Sequence, residues 1–155
     1  MARLPNYDNF KQLYDFYTTE GGLNPMQAAG MLGNIYAESR GNPNAINAGD
    51  GADGTDSIGI LQANSTRASA LRNFASQREE NANDFLTQAR YHMYEGTVGP
   101  ERNNFQRAIQ GDSAGQIGTQ IASKFIRPAA QHIPQRAGYS EMMYDIFANG
   151  NPDGY

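Results

Sequence analysis

The chain has 155 residues, 39% of them hydrophobic, which is enough apolar material for one compact core. Acidic residues outnumber basic residues by 16 to 12, so the overall charge gives no positive field for nucleic acid or an anionic membrane, and we predict neither partner. Because cysteine is absent, disulfides, thiolate nucleophiles and cysteine metal ligands are excluded. We therefore predict a single domain over residues 1–155 that ends in a polar C-terminal tail, residues 149–155.

The N-terminal sequence MARLPNYDNFKQLYDF carries charges and a proline before any apolar run long enough for a secretory signal peptide. No later run is long enough to span a bilayer. We therefore expect the protein to be made in the cytoplasm without a signal peptide and not to insert into a membrane.

Apolar residues at helical spacing predict a first amphipathic helix over residues 7–17. Asn24 and Pro25 are typical of the N-cap and first position of a second helix, which we predict to end at Glu38 or Ser39. The two glycines in its sequence AAGMLGN each cost on the order of 1 kcal/mol relative to alanine, which suggests that a neighbouring element packs closely against this backbone. We therefore predict that the second helix is buried and central.

After this helix, residues 41–56 are rich in Gly, Asn and Asp, which predicts a loop, and SIGILQ, residues 57–62, is a short segment capable of forming β structure. Five more helices are predicted downstream: one that starts at Asn64 or Ser65, one from Asn83 to Gly96, and three that contain Phe105 and Ile109, Ile117 to Phe125, and Met143 to Phe147. The sequence therefore predicts an all-α, or mainly α, fold with a short β-hairpin or irregular loop inserted after the second helix.

Metal chemistry has little support in the sequence. Three aspartates of the loop could suggest calcium: they are Asp50, Asp53 and Asp56. An EF-hand loop counted from the first of them has Leu61 where a bidentate glutamate is required, so a solvated acidic turn is the better interpretation. The two histidines, His92 and His132, lie in no HExxH or comparable ligand cluster. We predict neither a metal site nor a cofactor.

The string GDSAG, residues 111–115, satisfies the G-x-S-x-G pattern of serine hydrolases. No predicted strand precedes it, and no acid lies between Ser113 and His132 to complete the usual order of catalytic residues. Asp112 and Ser113 fit the N-cap of the following helix better. We therefore favour a helix cap over a nucleophile at this position.

Glu38 lies in the last turn of the second predicted helix, where unpaired carbonyl groups carry partial negative charge. This environment disfavours ionisation, so we expect Glu38 to hold its proton more tightly than a free glutamate does. A general acid that works near neutral pH needs this property. Cleavage of a glycosidic bond requires such an acid but neither a metal nor a nucleophilic hydroxyl.

Two short motifs around Glu38 resemble those of known glycosidases. Glu38-Ser39, followed by a loop and the GILQ of residues 59–62, resembles the E-S and G-L-x-Q signatures of goose-type lysozymes and lytic transglycosylases. The closer resemblance is to the phage tail lysozyme family, whose pattern AAGxLGNxxAES-x-x-NP is met over residues 28–43 and whose S-x-G-x-x-Q is met over residues 57–62. Further residues downstream also match the family pattern and extend this resemblance over most of residues 8–147; they are Arg67, Leu71, Phe74, Ala75, Gln88, Tyr91, Glu95, Phe125, Arg127, Pro128 and Arg136.

The resemblance implies a lysozyme-like fold, with Glu38 as the general acid acting on the β-linked MurNAc–GlcNAc backbone of peptidoglycan. Ser57 and Gln62 would line the cleft, although the Gln62 amide could instead satisfy loop backbone. Tyr91 could form a sugar platform, but a core role is the simpler interpretation. Glu95 is either a partner of these groups or merely a helix end. The candidate substrate-binding residues are therefore Ser39, Ser57, Gln62, Asn64 and Tyr91.

The chain also departs from the family pattern. Relatives often have an aromatic residue before the glycine and a tryptophan after the glutamine, whereas this chain has Ile58 and Ala63 and contains no tryptophan. Stacking against sugar rings must therefore come from tyrosines.

Three ways of completing the reaction are open at this point. A hydrolase needs a second carboxylate, about 5 Å from the first in a retaining enzyme and roughly 6.5 to 9.5 Å away in an inverting one. The candidates are Asp50, Asp53 and Asp56; Asp56 ranks first because it borders SIGILQ, and Asp50 ranks next. In lytic transglycosylation the muramic hydroxyl attacks its own ring, and Glu38 is the one acid required.

The leading hypothesis is a peptidoglycan-degrading enzyme of a bacterial virus, mounted on or packaged in the virion, that opens the cell wall when the virus enters its host. Its partners would be glycan strands and other phage tail or virion proteins. The alternatives are a catalytically inactive lysozyme-like domain that binds glycan or builds the tail, and an endolysin that acts at lysis. The hypothesis requires Glu38 beside a groove; a side chain turned into open solvent, or bound permanently to an arginine, would contradict it.

Overall fold

The computed structural model describes residues 3–49 and 54–155, and within these ranges the chain is mainly helical, as predicted. The helices are α1 (Tyr7–Thr18), α2 (Pro25–Ser39), α3 (Ser65–Gln77), α4 (Phe85–Thr97), α5 (Arg102–Ala108), α6 (Ala114–Ile121) and α7 (Gln135–Met143). The strands are β1 (Ile46–Asn47) and β2 (Ser57–Ile58), which pair antiparallel after α2. π-helical turns, Ala122–Ile126 and Tyr144–Ala148, extend α6 and α7, and a 3₁₀ turn, Ala130–His132, precedes α7.

Helix α2 is the central element of the fold. Every residue from Ala28 to Tyr36 is buried, and the helix packs against α7, α6 and α1. Its N-terminus is fixed by a capping box, in which Asn24 Oδ1 accepts from the Gln27 backbone N–H and the Gln27 side chain accepts from the Asn24 N–H, both at 2.9 Å. The predicted helix, its cap and its central position are confirmed.

The predicted close approach to the glycines of α2 is also confirmed. A Cβ atom on Gly33 would lie 2.6 Å from the backbone nitrogen of Ser140 on α7, and one on Gly30 would lie 3.2 Å from the nitrogen of Gly118 on α6. Only glycine, which has no Cβ atom, allows the backbones of α2, α6 and α7 to come this close. The glycines therefore bring α6 and α7 against the helix that carries Glu38.

Side-chain caps also fix the starts of α4 and α6. Asp84, rather than a residue before it, caps α4, because its carboxylate accepts from the Thr87 N–H at 2.9 Å, so the predicted start at Asn83 was slightly early. At α6, Ser113 Oγ accepts from the Gln116 N–H at 3.1 Å. This hydrogen bond confirms the prediction of a helix cap within GDSAG.

The SIGILQ segment is part strand and part turn. After β2, Ile58 and Ala63 exchange two backbone hydrogen bonds of 2.8 Å across a turn that begins with Gly59 at φ +83°. The buried Gln88 of α4 accepts from the Ile60 N–H at 2.8 Å and donates to the Pro43 carbonyl at 3.0 Å. A Cβ on Gly59 would lie 2.9 Å from the Gln88 Oε1, so this glycine is needed for both its conformation and its lack of a side chain. The turn is thereby fixed to α4 and to the loop after α2.

The polar C-terminal tail is anchored to the end of α7. Asn151 donates its side-chain amide to Asp145 at 2.7 Å, and the ring of Tyr155 lies 6.5 Å from that of Tyr36. None of the helices in the two described ranges combines the length and apolar character required for crossing a membrane.

Candidate active site

A groove of about 700 Å³ opens beside the C-terminal end of α2. Its walls are the last residues of α2, the turn after β2, the segment between α6 and α7, and α7 itself. Four sequence-predicted site residues line it: Glu38, Ser57, Gln62 and Asn64. The fold therefore brings together residues from the two motifs on which the sequence-based hypothesis rests.

Glu38 lies in the groove wall, with 14% of its side chain exposed. Its Oε1 accepts a hydrogen bond of 2.9 Å from Nη2 of Arg136, a residue of α7 that is 98 positions away in the chain. This ion pair counts against Glu38 as a general acid, because a guanidinium stabilises the ionised carboxylate. It opposes the effect of the helix end, which favours the protonated form.

The position of Arg136 does not depend on Glu38 alone. Its side chain is 3% exposed; Nη1 donates to Asn34 Oδ1 at 3.1 Å, and Nε donates to the His132 carbonyl at 2.8 Å. Asn34 in turn donates to the carbonyl of Gly118 on α6. Arg136 is therefore a fixed positive charge, held by the core and directed at the carboxylate from behind the groove surface.

Ser57 and Asn64 contact each other in the groove wall. Ser57 is buried, and its Oγ accepts from Asn64 Nδ2 at 3.3 Å. Asn64 is also the N-cap residue of α3, although its side chain makes no cap hydrogen bond.

The Gln62 amide satisfies loop backbone, the structural alternative considered from the sequence. Its Nε2 donates to the carbonyls of Ala45 at 3.1 Å and Gly59 at 2.9 Å, while its Oε1 accepts from Asn47 Nδ2 at 2.9 Å. Gln62 has φ +51°, a left-handed conformation that these hydrogen bonds hold in place. It therefore shapes the wall that it lines.

Three other predicted site residues do not line the groove. Ser39 donates to the Ile60 carbonyl at 2.9 Å, which ties the end of α2 to the SIGILQ turn. Asp56 is exposed and accepts from the Gly49 N–H at 3.0 Å. Tyr91 is buried on α4, where it lines a separate surface cavity between α3 and α4. Asp50 and Asp53 lie outside the described residues.

Residues 8–147 match the family model of the phage tail lysozymes. The chain belongs to this family. Membership supports a lysozyme-like, peptidoglycan-degrading function, and the mainly helical fold with its small antiparallel sheet agrees with it. Comparison with curated protein sequences gives no match.

A second carboxylate of this phage tail lysozyme, Glu95, is buried away from the groove. Arg67 donates to it through Nη2 at 2.7 Å and Nε at 3.1 Å, Tyr91 donates its hydroxyl at 3.2 Å, and His92 Nδ1 lies 2.6 Å away. Burial by itself would raise the pKa of Glu95, but the contacts with His92 and Arg67 outweigh it and lower the pKa to about 2. Glu95 is therefore an ionised structural carboxylate, and burial next to it raises the pKa of Tyr91.

Several groove residues of the phage tail lysozyme carried no site prediction. They are Arg40, Asn47, Arg127, His132, Gln135, Arg136 and Tyr139. Arg136 had a signal in the sequence, as one of the downstream residues that extend the resemblance to the family. Tyr139 is the one tyrosine that lines the groove in the described part of the chain, and its ring meets Tyr36 edge-on at 4.8 Å. Neither its spacing nor a motif distinguished it from a core tyrosine.

Proposed function

We propose that this protein cleaves the β-linked MurNAc–GlcNAc backbone of peptidoglycan with Glu38 as the general acid. The observation that carries the proposal is the position of Glu38 in the wall of a groove large enough for sugar rings. Among the described residues that line this groove, it is also the only carboxylate. Membership in the phage tail lysozyme family supports the substrate.

Arg136 has a chemical role in this proposal that differs from holding a resting ion pair. When Glu38 gives its proton to the leaving oxygen, a carboxylate forms, and a guanidinium fixed 2.9 Å from its oxygen stabilises that product. Arg136 therefore disfavours protonated Glu38 before the reaction and stabilises the Glu38 carboxylate that the reaction leaves. This balance suits a group that must release a proton and, in transglycosylation, take one back.

The experiment that tests the general acid is the substitution Glu38→Gln, which keeps the shape of the side chain and removes the proton donor. We expect the rate of glycan release from purified sacculi to fall by about 10² to 10⁴, the usual contribution of a general acid. Glu79→Gln, at an exposed glutamate outside the groove, is the matched control and should retain wild-type activity. A folded Glu38→Gln protein that cleared walls at the wild-type rate would contradict the proposal.

The products decide how the reaction finishes. Hydrolysis requires a second carboxylate, and since Asp56 is exposed outside the groove wall, Asp50 and Asp53 are the remaining candidates from the sequence. Transglycosylation requires Glu38 alone and gives anhydro-muramic ends that are one water lighter. Mass spectrometry of digested sacculi distinguishes the two products directly.

A second candidate function follows from the ion pair between Glu38 and Arg136. If this pair persists when substrate is bound, the domain would bind glycan without cleaving it and would act as a lysozyme-like structural part of a tail. Tight binding of muropeptides with no released fragments would favour this function. Rapid wall clearance would exclude it.

We also propose that the protein is associated with the tail or packaged in the virion, contacts other virion proteins and acts when the virus enters its host. The description of the family as tail lysozymes supports this placement. Mass spectrometry of purified particles tests it. Detection in the lysate together with absence from particles would favour an endolysin instead.

A further inference from the structure

Among the described residues that line the groove, the charges are not balanced. Three arginines lie along it, and two of them have carboxylate partners. Arg136 pairs with Glu38 at 2.9 Å, and Arg127 pairs with Glu101 at 2.6 Å. The hydrogen bond from Arg127 also lowers the pKa of Glu101, so this second pair is fully charged and neutral overall.

Arg40 is the third arginine, and it forms no ion pair with any carboxylate in residues 3–49 and 54–155. Among the arginines that line the groove in the described part of the chain, it is therefore the one whose charge no described carboxylate neutralises, although the net charge of the chain is −4. An exposed cation that pairs with no described carboxylate, in the groove that also contains the candidate catalytic carboxylate, is available to an anionic group of the substrate.

The guanidinium of Arg40 is already held in one orientation. Its Nη1 donates to the Tyr36 carbonyl at 2.7 Å, and its central carbon lies 4.1 Å from the Tyr36 ring centroid and 5.4 Å from that of Tyr139. The backbone of Arg40 adopts a left-handed conformation, φ +55°, that ends α2 and turns the chain at the groove. Stacking fixes the plane of a guanidinium and leaves its other N–H groups for an in-plane acceptor such as a carboxylate.

We propose that Arg40 binds a carboxylate of the glycan strand and makes the protein prefer muramic acid strands that carry one over neutral N-acetylglucosamine polymers. This inference rests on the proposed function and specifies the substrate of the same groove. The carboxylate has two sources in peptidoglycan, the peptide where one is attached and the lactyl group where the muramic acid carries no peptide. Because Glu38 and Arg40 both line this groove, one glycan strand lying in it can meet the two side chains together.

The test compares wild type, Arg40→Gln and Arg40→Lys on three substrates. These are intact sacculi, strands freed of peptide by an amidase so that the lactyl carboxylate is exposed, and the same strands with their carboxylates converted to methylamides. We expect Arg40→Gln to raise KM on the carboxylate-bearing substrates by about tenfold, with little change in kcat, as for loss of one charge-assisted hydrogen bond. Arg40→Lys keeps the positive charge but not the planar guanidinium stacked on the tyrosines, so its KM should rise less. On the methylamide strands, all three proteins should have the same KM.

Arg72→Gln is the matched control, because Arg72 is exposed on α3 and lines neither described cavity. A KM effect confined to intact sacculi identifies the peptide as the source of the carboxylate, and one confined to stripped strands identifies the lactyl group, which is free only after the amidase has acted. An effect on both substrates shows that Arg40 accepts either carboxylate. Equal KM values for wild type and Arg40→Gln on both carboxylate-bearing substrates would overturn the inference. A similar increase in KM on the methylamide strands would also overturn it, because a general packing role would explain the change.

Binding is also measured without cleavage, so that the role of Arg40 can be tested independently of the proposed catalytic activity. The Kd for stripped strands is measured in the Glu38→Gln background with and without Arg40→Gln, and we expect the second substitution to weaken binding about tenfold. If wild type cleaves no substrate, the proposed function fails, while these Kd values still decide whether Arg40 recognises a carboxylate. Unchanged Kd values would overturn the role of Arg40 whether or not cleavage occurs.

Discussion

Arg136 shows how one side chain links the groove to the core. Its three donors reach Asn34, the His132 carbonyl and Glu38, and so join α2 to α7 and to the turn before α7. Loss of this side chain would leave both the Asn34 oxygen and the Glu38 carboxylate without their cationic donor in a mostly buried place, which is costly. The electrostatic effect of Arg136 on Glu38 can be separated from this structural role by measuring activity as a function of pH.

We predict that Arg136→Gln moves the alkaline limb of the pH–activity profile to higher pH and lowers the maximal rate. Without the cation, Glu38 prefers its ionised form less and stays protonated to higher pH. The carboxylate that Glu38 becomes in the reaction is then less stabilised, which lowers the rate. The measurement is kcat/KM on purified sacculi as a function of pH, with thermal unfolding of each variant. Arg136→Lys keeps a cation and should keep the limb near its wild-type position. An unshifted limb in folded Arg136→Gln would show that Arg136 does not influence the acid.

At the scale of elements, the contact of α2 with α6 and α7 depends on small residues. Gly33 and Gly118 both face Ser140, whose backbone nitrogen would be 2.6 Å from a Cβ on Gly33. The Ser140 hydroxyl is enclosed there without a hydrogen-bond partner in the described part of the chain, which shows how little space remains between the helices. The same contact sets the distance between Glu38 on α2 and Arg136 on α7.

Gly33→Ala should therefore destabilise the protein by about 1 to 3 kcal/mol, because α7 must move away from α2. Gly138→Ala, on α7 itself, is the control: no atom lies within 4 Å of the added Cβ, and the better helix propensity of alanine should stabilise the protein by about 0.5 to 1 kcal/mol. Denaturant unfolding measures both free energies. Equal effects of the two substitutions would show that the close helix contact does not limit stability.

At the scale of the whole molecule, two ionic clusters hold different parts of the chain together. Glu38 and Arg136 join α2 to α7, whereas Arg67 and Glu95 join α3 to α4. Arg67 also donates to the Phe125 carbonyl at 3.0 Å, which attaches the turn after α6 to this second cluster. The groove lies beside segments that each cluster fixes, so its shape depends on both.

The low pKa of Glu95 predicts a specific dependence of stability on pH. Its folded-state pKa, about 2, lies below the ordinary value of 4.5, so the stability that it contributes is complete above about pH 4.5 and is lost as the pH falls towards 2. Glu95→Gln should cost about 3 to 5 kcal/mol at neutral pH, because it leaves Arg67 without its charged partner. The difference in unfolding free energy between wild type and variant should shrink as the pH falls through this window, whereas Glu79→Gln should show no such dependence. A difference that stayed constant with pH would exclude an ionised Glu95 as its source.

The helices of this protein could be predicted from the sequence because their signals are local. Apolar spacing gave α1 and α2, and the capping residues Asn24 and Ser113 marked helix starts that the hydrogen bonds confirm. The start of α4 was missed by a small margin because Asn83 and Asp84 are both good caps and only the backbone geometry selects between them. The glycines of α2 likewise indicated a close neighbour without indicating which element it is.

The sequence by itself determined the mainly helical fold, the buried α2, an insertion after it that could be a hairpin or an irregular loop, and the placement of Glu38 at a helix end; the structure shows that the insertion contains a hairpin. Only the tertiary structure decided that Arg136 pairs with Glu38, that Gln62 holds loop backbone and that Tyr91 is enclosed with Glu95. The physical reason is range: caps and periodicity act between residues a few positions apart, whereas Glu38 and Arg136 are 98 positions apart and meet only because α2 and α7 pack together. The charge environment of a site is a property of that packing.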